Sequence, residues 1–129
     1  MYKNVSACVV LINEQGLVLG VSRKDDHSKM GLPGGKMEPE DLLDSKTTAI
    51  RECKEETGLD IDDLILAFAI HKDGSMCFTY IAKYSGIISH DEPHLVKWIP
   101  FIELLNGTFG DYNKMLSKSL DDMGIMYQH

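Results

Sequence analysis

From Gly34 to Leu59 the chain reads GGKMEPEDLLDSKTTAIRECKEETGL, and the run Arg51-Glu52-Cys53-Lys54-Glu55-Glu56 inside it restricts the fold most. On a helix Glu52, Glu55 and Glu56 stand at i, i+3 and i+4 and share one face. Three carboxylates packed this way repel one another, and the helix would be more stable without them. Such a face is either simply solvated or a place for divalent cations. Hard, oxygen-seeking Mg²⁺ or Mn²⁺ suits carboxylate ligands and brings phosphate with it. At about 100° per residue Ala49, Ile50 and Cys53 form an apolar stripe that continues back through Leu42 and Leu43. The stripe lies roughly 100° around from the carboxylates, so the helix can bury one side while the glutamates flank it. Pro39 and the acids around it suit a helix beginning, with Asp41 or Asp44 as N-cap. The helix is expected from about Leu42 to Thr57, where Gly58 supplies a left-handed stop.

Ahead of that helix, Gly34-Gly35-Lys36 reads as a turn whose bare backbone can approach a ligand closely and leaves a lysine beside it. Gly35 followed by Arg51-Glu52-Cys53-x-Glu55-Glu56-x-Gly58-Leu59 resembles the signature of the Nudix hydrolases. That family's box is a Gly, five residues, a Glu, seven residues, then Arg-Glu-apolar-x-Glu-Glu-x-Gly-apolar. The second half matches at every fixed position, with Cys53 as the apolar one. The first half departs. Five residues after Gly35 stands Asp41, and nine residues rather than seven separate it from Arg51. The loop carries a two-residue insertion, and Glu40, Asp41 and Asp44 are all candidates for the box's first acid. If the insertion adds a half-turn of helix, Asp41 returns to the carboxylate face about three turns before Glu52.

At 129 residues the chain is expected to be one domain with its own core. No apolar run approaches a membrane span, and the amino terminus lacks a signal pattern. Cys8, Cys53 and Cys77 lack metal-type spacing and read as free buried thiols in a reducing cytosol. The formal net charge of −7 argues against general nucleic-acid binding. It is compatible with a nucleotide, because cations can bridge carboxylate to phosphate.

Val5–Ile12 and Leu17–Arg23 are β-branched apolar runs on either side of an Asn13–Gly16 turn, predicting a hairpin covered on both faces. Lys24–Met30 is polar and reads as a loop, with His27 a surface histidine. Met30 either packs under a base or joins the core. Ile61–Ile70 and Ser75–Tyr84 flank Asp73-Gly74, a strong hairpin signal. Leu95–Ile99 is a short strand carrying Trp98, Phe101–Leu105 a short helix, and Asp111 can cap a last amphipathic helix. These elements fit the α/β/α sandwich around a mixed central sheet that the Nudix resemblance implies.

The resemblance implies hydrolysis of a nucleoside diphosphate linked to another group, with Mg²⁺, or Mn²⁺ in its place, holding the phosphates. It makes Glu52, Glu55 and Glu56 the metal ligands, with the Gly35 carbonyl as a further oxygen. Gly34, Lys36 and Arg23 would meet the substrate, and Arg51 would pair with a glutamate and orient it. The general base would be a box glutamate, Glu52 or Glu55, or an acid from a distant loop, Glu92 or its neighbour Asp91. The small domain points to a MutT-like (d)NTP pyrophosphohydrolase, cytoplasmic, monomeric or homodimeric. Base specificity would lie around Met30, Phe78, Tyr80 and His90. An ADP-sugar, dinucleoside polyphosphate or RNA-cap substrate is the alternative. A nucleotide sensor without catalysis is the alternative of another class, opposed by the intact Arg51, Glu52, Glu55 and Glu56.

Overall fold

The structure, a computed structural model, describes residues 4–90, 93–105 and 111–129. It is a mixed α/β fold built on two sheets. The larger is four-stranded, in the order β4-β1-β6-β5. β1 (Asn4–Val10) lies parallel to β6 (Ser75–Ser85) and antiparallel to β4 (Gly34–Lys36), and β5 (Asp60–Lys72) runs antiparallel to β6. The smaller sheet has the order β3-β2-β7, all antiparallel, from β2 (Val18–Ser22), β3 (Met30–Gly31) and β7 (Val96–Ile99). Helix α1 (Ser45–Thr57) packs on β1, β4 and β5, and α2 (Tyr112–Asp122) also reaches β5. Ala7, Val9, Leu11, Leu19, Ala49, Cys53 and Leu59 fill the core beneath α1. Val10, Val18, Cys77, Ile99, Leu116 and Leu120 fill a second one beneath α2.

The Asp73-Gly74 hairpin forms as the dipeptide predicts. Lys72 faces Ser75, and both turn residues have positive φ, 52° and 82°. The expected β1–β2 hairpin does not form as a ladder. Only its tip closes, through an Ile12–Val18 bridge, after which the two strands part into different sheets. An apolar run is equally at home beside either neighbour, and here β1 is taken by β6 and β4. Every residue of β2 is buried, as its unbroken apolar character suggests. Phe101–Glu103 is a single 3-10 turn, and α2 buries Tyr112, Leu116 and Leu120 while the Asp111 side chain makes no cap bond.

The start of α1 departs most from expectation. Pro39–Asp41 forms a separate 3-10 turn, and α1 begins only at Ser45, with Asp44 as N-cap accepting from Lys46 N at 3.0 Å. Leu42 and Leu43 are therefore outside the helix and outside the apolar stripe; they are 84% and 91% exposed. Both have positive φ, 53° and 63°, and Asp44 N donates to Asp41 O across them at 3.0 Å. Two left-handed central residues are the pattern of a type I′ turn, which favours Asn-Gly. The two-residue insertion is thus extruded as a turn and adds no half-turn of helix. Ile50 is also 42% exposed, because the inward line of α1 runs through Thr48, Ala49, Cys53 and Thr57.

Leucine in this conformation costs about 1–2 kcal/mol per residue, and side chains this exposed gain little packing to offset it. The double substitution Leu42→Asn, Leu43→Gly relieves about 2–4 kcal/mol for the two residues, less the chain entropy added by Gly and the cost Asn retains, and is expected to raise the unfolding free energy by roughly 1–2 kcal/mol net, read by urea titration. An unchanged or lower midpoint would show that the leucines are held by something other than the turn.

Candidate active site

Gly34 and Gly35 lie in β4 and face Cys8 and Ala7 of β1, so the expected turn is instead an extended strand. Its position needs glycine. A Cβ on Gly34 would stand 2.6 Å from the Cβ of Cys8, and one on Gly35 would stand 2.5–2.7 Å from the carboxylate of Glu52. α1 crosses this bare strand and lowers two of its glutamates onto it. Glu56 Oε1 accepts the Gly34 N–H at 2.8 Å, and Glu52 lies over Gly35. Glu55, on the outer side of the same helix, is 53% exposed against 17% for Glu52.

Arg51 holds this arrangement together. Its Nε and Nη2 donate to Asp41 Oδ1 and Oδ2 at 2.9 and 3.0 Å, Nη1 donates to Glu52 Oε1 at 3.0 Å, and Nη2 also donates to Lys36 O at 3.1 Å. Glu55 stands 3.4 Å from Nη1. Glu40 is a weaker neighbour at 3.7 Å from Nε. Asp41 also accepts from Thr48 Oγ1 at 2.8 Å and Glu38 N at 2.9 Å, and its side chain is fully buried. Among the three candidates for the box's first acid, Asp41 thus makes the close pair with Arg51, while Asp44 caps the helix. The Arg51 bonds, with those from Glu38 and Thr48, hold the Asp41 carboxyl well below the usual carboxylate range against the opposing effect of burial. The same pair raises Arg51, so both remain charged. Burial pushes Glu52 up, and the Arg51 bond draws it only part of the way back.

The remaining candidates are less closely gathered. Lys36 has an exposed side chain beside the glycines, with its carbonyl bonded to Arg51. Arg23, at the end of β2, pairs with Asp25 at 3.1 Å. Glu92 and Asp91 lie outside the described residues. Met30 is buried in the second core, and the Tyr80 hydroxyl is bonded to Ser45 Oγ. Cys53 and Cys77 are buried as expected, but Cys8 is only half-buried, with its Sγ 2.9 Å from Tyr112 Oη. Two residues next to the site were not singled out from sequence: Thr48, which completes the Asp41 cluster, and His94, whose Nε2 lies 2.7 Å from Glu56 O. Neither has a spacing signature that separates it from an ordinary helix or loop residue. His27 also has a partner, Pro93 O at 2.9 Å from its Nε2.

The donors that α1 brings onto the Gly34-Gly35 strand are carboxylate oxygens, from Glu52 and Glu56, the type a hard divalent cation takes. Among the described residues no three His, Cys, Asp or Glu side chains are grouped as a finished cage. A Mg²⁺-type ion that keeps waters and binds substrate phosphate requires fewer protein ligands than that. The bare Gly35 backbone leaves room for the Glu52 carboxylate to lie against the strand, and carboxylate oxygens fit such a group.

The model of the NUDIX domain matches residues 2–118. The fold is shared with solved structures. A MutT NUDIX hydrolase from Burkholderia pseudomallei superposes with a TM-score of 0.70 at 24% identity, over 88% of this chain and 95% of that one. An ADP-ribose pyrophosphatase from Streptococcus suis gives 0.74 at 16% identity, over 98% and 96%. A NUDIX hydrolase from Nitrosomonas europaea gives 0.72 at 18% identity, over 97% and 92%. No protein of curated function matches the sequence significantly. With its box glutamates laid on Gly34-Gly35 and the domain matched over nearly all its length, the chain belongs to the Nudix hydrolase family.

Proposed function

We propose that the protein is a Mg²⁺-dependent (d)NTP pyrophosphohydrolase, releasing a nucleoside monophosphate and pyrophosphate. The observation that carries the metal site is the convergence of Glu52 and Glu56 on the Gly34-Gly35 backbone. Glu52, Glu55, Glu56 and the Gly35 carbonyl would hold the cation, with Mn²⁺ as a substitute. Bound there, it would neutralise phosphate charge and acidify a water. The chain's own residues supply the rest. Arg51, fixed by Asp41, orients Glu52. Lys36, exposed beside the glycines, is placed for an anionic phosphate chain, and the Gly34-Gly35 backbone is open to close approach. Arg23 is assigned a phosphate contact after release from Asp25. Glu92 is assigned as general base, with Glu52 or Glu55 as the alternative. The three free thiols support a cytoplasmic location.

The fold shared with an ADP-ribose pyrophosphatase favours an ADP-sugar as the second reading. The deciding experiment is chromatographic identification of the products formed from a panel of common and oxidised (d)NTPs, ADP-ribose, a dinucleoside polyphosphate and NADH, with Mg²⁺ and Mn²⁺ separately. Turnover of a (d)NTP with pyrophosphate as product is expected, falling to background with EDTA and returning with added metal. Preferred turnover of ADP-ribose to AMP would move the assignment to the second reading. Equilibrium nucleotide binding with no metal-stimulated turnover would replace both with a sensor.

A further inference from the structure

The stretch before β7 is fastened to the last turn of α1 at several points. Ser89 N donates to Thr57 O at 2.8 Å, and the Ser89 carbonyl sits where a Cβ on Gly58 would be. Five residues further on, His94 is 5% exposed, and its Nε2 is 2.7 Å from Glu56 O. A carbonyl can only accept, so Nε2 carries the proton and donates. His90 stacks on the same ring, with centroids 4.4 Å apart and planes 9° from parallel. From the other side, His27 reaches Pro93 O at 2.9 Å. The final carbonyls of a helix have no partner within it. Here Lys54 O is taken by Gly58 N, Thr57 O by Ser89 and Glu56 O by His94.

Glu56 is thus held at both ends: its side chain by Gly34 N–H, its carbonyl by a buried imidazole. We propose that His94 is a positioning residue for the metal site, fixing through the Glu56 carbonyl the helix turn that presents the Glu55 and Glu56 carboxylates. The proposal deepens the metal-site reading above and rests on it. His94 touches neither cation nor substrate in this role. Loss of its bond frees the last turn of α1 to fray, so that carboxylates meant to meet one ion lose their common geometry. Partners of this outer kind are typically worth about 10–100-fold in metal affinity or activity.

The test is Mn²⁺ binding to the full-length protein, measured by the EPR signal of free Mn²⁺ without substrate, beside kcat and KM on the best nucleotide. His94→Leu keeps the burial and removes the donor. It is expected to weaken Mn²⁺ binding about tenfold or more and to lower kcat by a similar factor, with KM for the nucleotide little changed. His94→Gln, whose amide nitrogen reaches near the place of Nε2, is expected to restore both to within about threefold of wild type. His94→Asn, whose amide stops short of the carbonyl, carries the same expected loss where the leucine variant does not fold. Native Mn²⁺ affinity in a folded His94→Leu or His94→Asn variant overturns the proposal, as does failure of His94→Gln to rescue. Glu56→Gln separates the two levels. If wild type binds no Mn²⁺, or Glu56→Gln binds it equally well, the metal-site reading itself falls and takes the proposal with it.

Discussion

Glu52→Gln and Glu56→Gln are each expected to lower metal-dependent kcat by roughly 10²–10³-fold, the equivalent of losing several kcal/mol of electrostatic stabilisation. The same substitutions are expected to leave the fold intact or slightly more stable, by about 0.2–0.5 kcal/mol, because each removes one member of a like-charged row on α1. Gln keeps an Oε1 that can accept the Gly34 N–H, so the bond that lays residue 56 on β4 survives. The opposite signs are what distinguish a ligand row from a structural one. Carboxylates serving only the fold would lose stability when neutralised and would leave turnover alone. Parallel urea titrations and steady-state assays without and with Mg²⁺ read both signs. A gain in stability with native turnover would mean that the row repels without binding anything.

Asp41→Asn is expected to be the most damaging single change away from those ligands. Both oxygens of Asp41 accept, from Arg51 Nε on one side and from Arg51 Nη2, Thr48 and Glu38 on the other. Whichever way an asparagine is turned, its NH₂ faces a donor, and the guanidinium loses the closest of its charge partners at a carboxylate that is fully buried. The expected result is a fall in Tm of roughly 5–10 °C together with a loss of kcat, since Arg51 also orients Glu52. The sign with pH follows from Asp41 being held below its ordinary range. A depressed carboxyl contributes stability above its unfolded pKa of about 3.9, and that contribution is lost as pH falls further toward the folded value. The stability gap between wild type and Asp41→Asn should be constant from about pH 8 to 5 and narrow below about pH 4. A gap that widened on acidification would mean that Asp41 is protonated in the folded protein.

The second half of the box was legible because helix period and charge act locally. Arg51, Glu52, Glu55 and Glu56 have to share a region of one helix surface, and Gly58 has to stop it. The Asp73-Gly74 hairpin was legible for the same reason. What sequence could not supply was choice among equals. Val5–Ile12 suits any neighbouring strand, and only the assembled sheet decides that β1 lies beside β6 and β4 rather than β2. The extended pairing of Gly34-Gly35 with β1 is another such outcome, since paired glycines ordinarily signal a turn. Leu42 and Leu43 misled because their spacing continues the apolar line of α1, whereas the Asp41–Arg51 pair fixes the geometry before the helix starts. The contacts of His94 and Thr48 are long-range or buried details with no periodic trace.

The extruded turn at Leu42-Leu43 has a bearing on how such domains are found. Asp41 pairs with Arg51 across nine intervening residues, because the chain bulges outward at Leu42-Leu43 and re-enters at Asp44 with the hydrogen bond from Asp44 N to Asp41 O closed. The chemistry therefore constrains where the acid's oxygens end up and not how many residues lie between. A pattern written with fixed gaps passes over a chain like this one. A rule that lets the gap grow, provided the added residues can loop out to solvent, would recover it, and the same turn is a natural place to insert a peptide tag without moving the carboxylates.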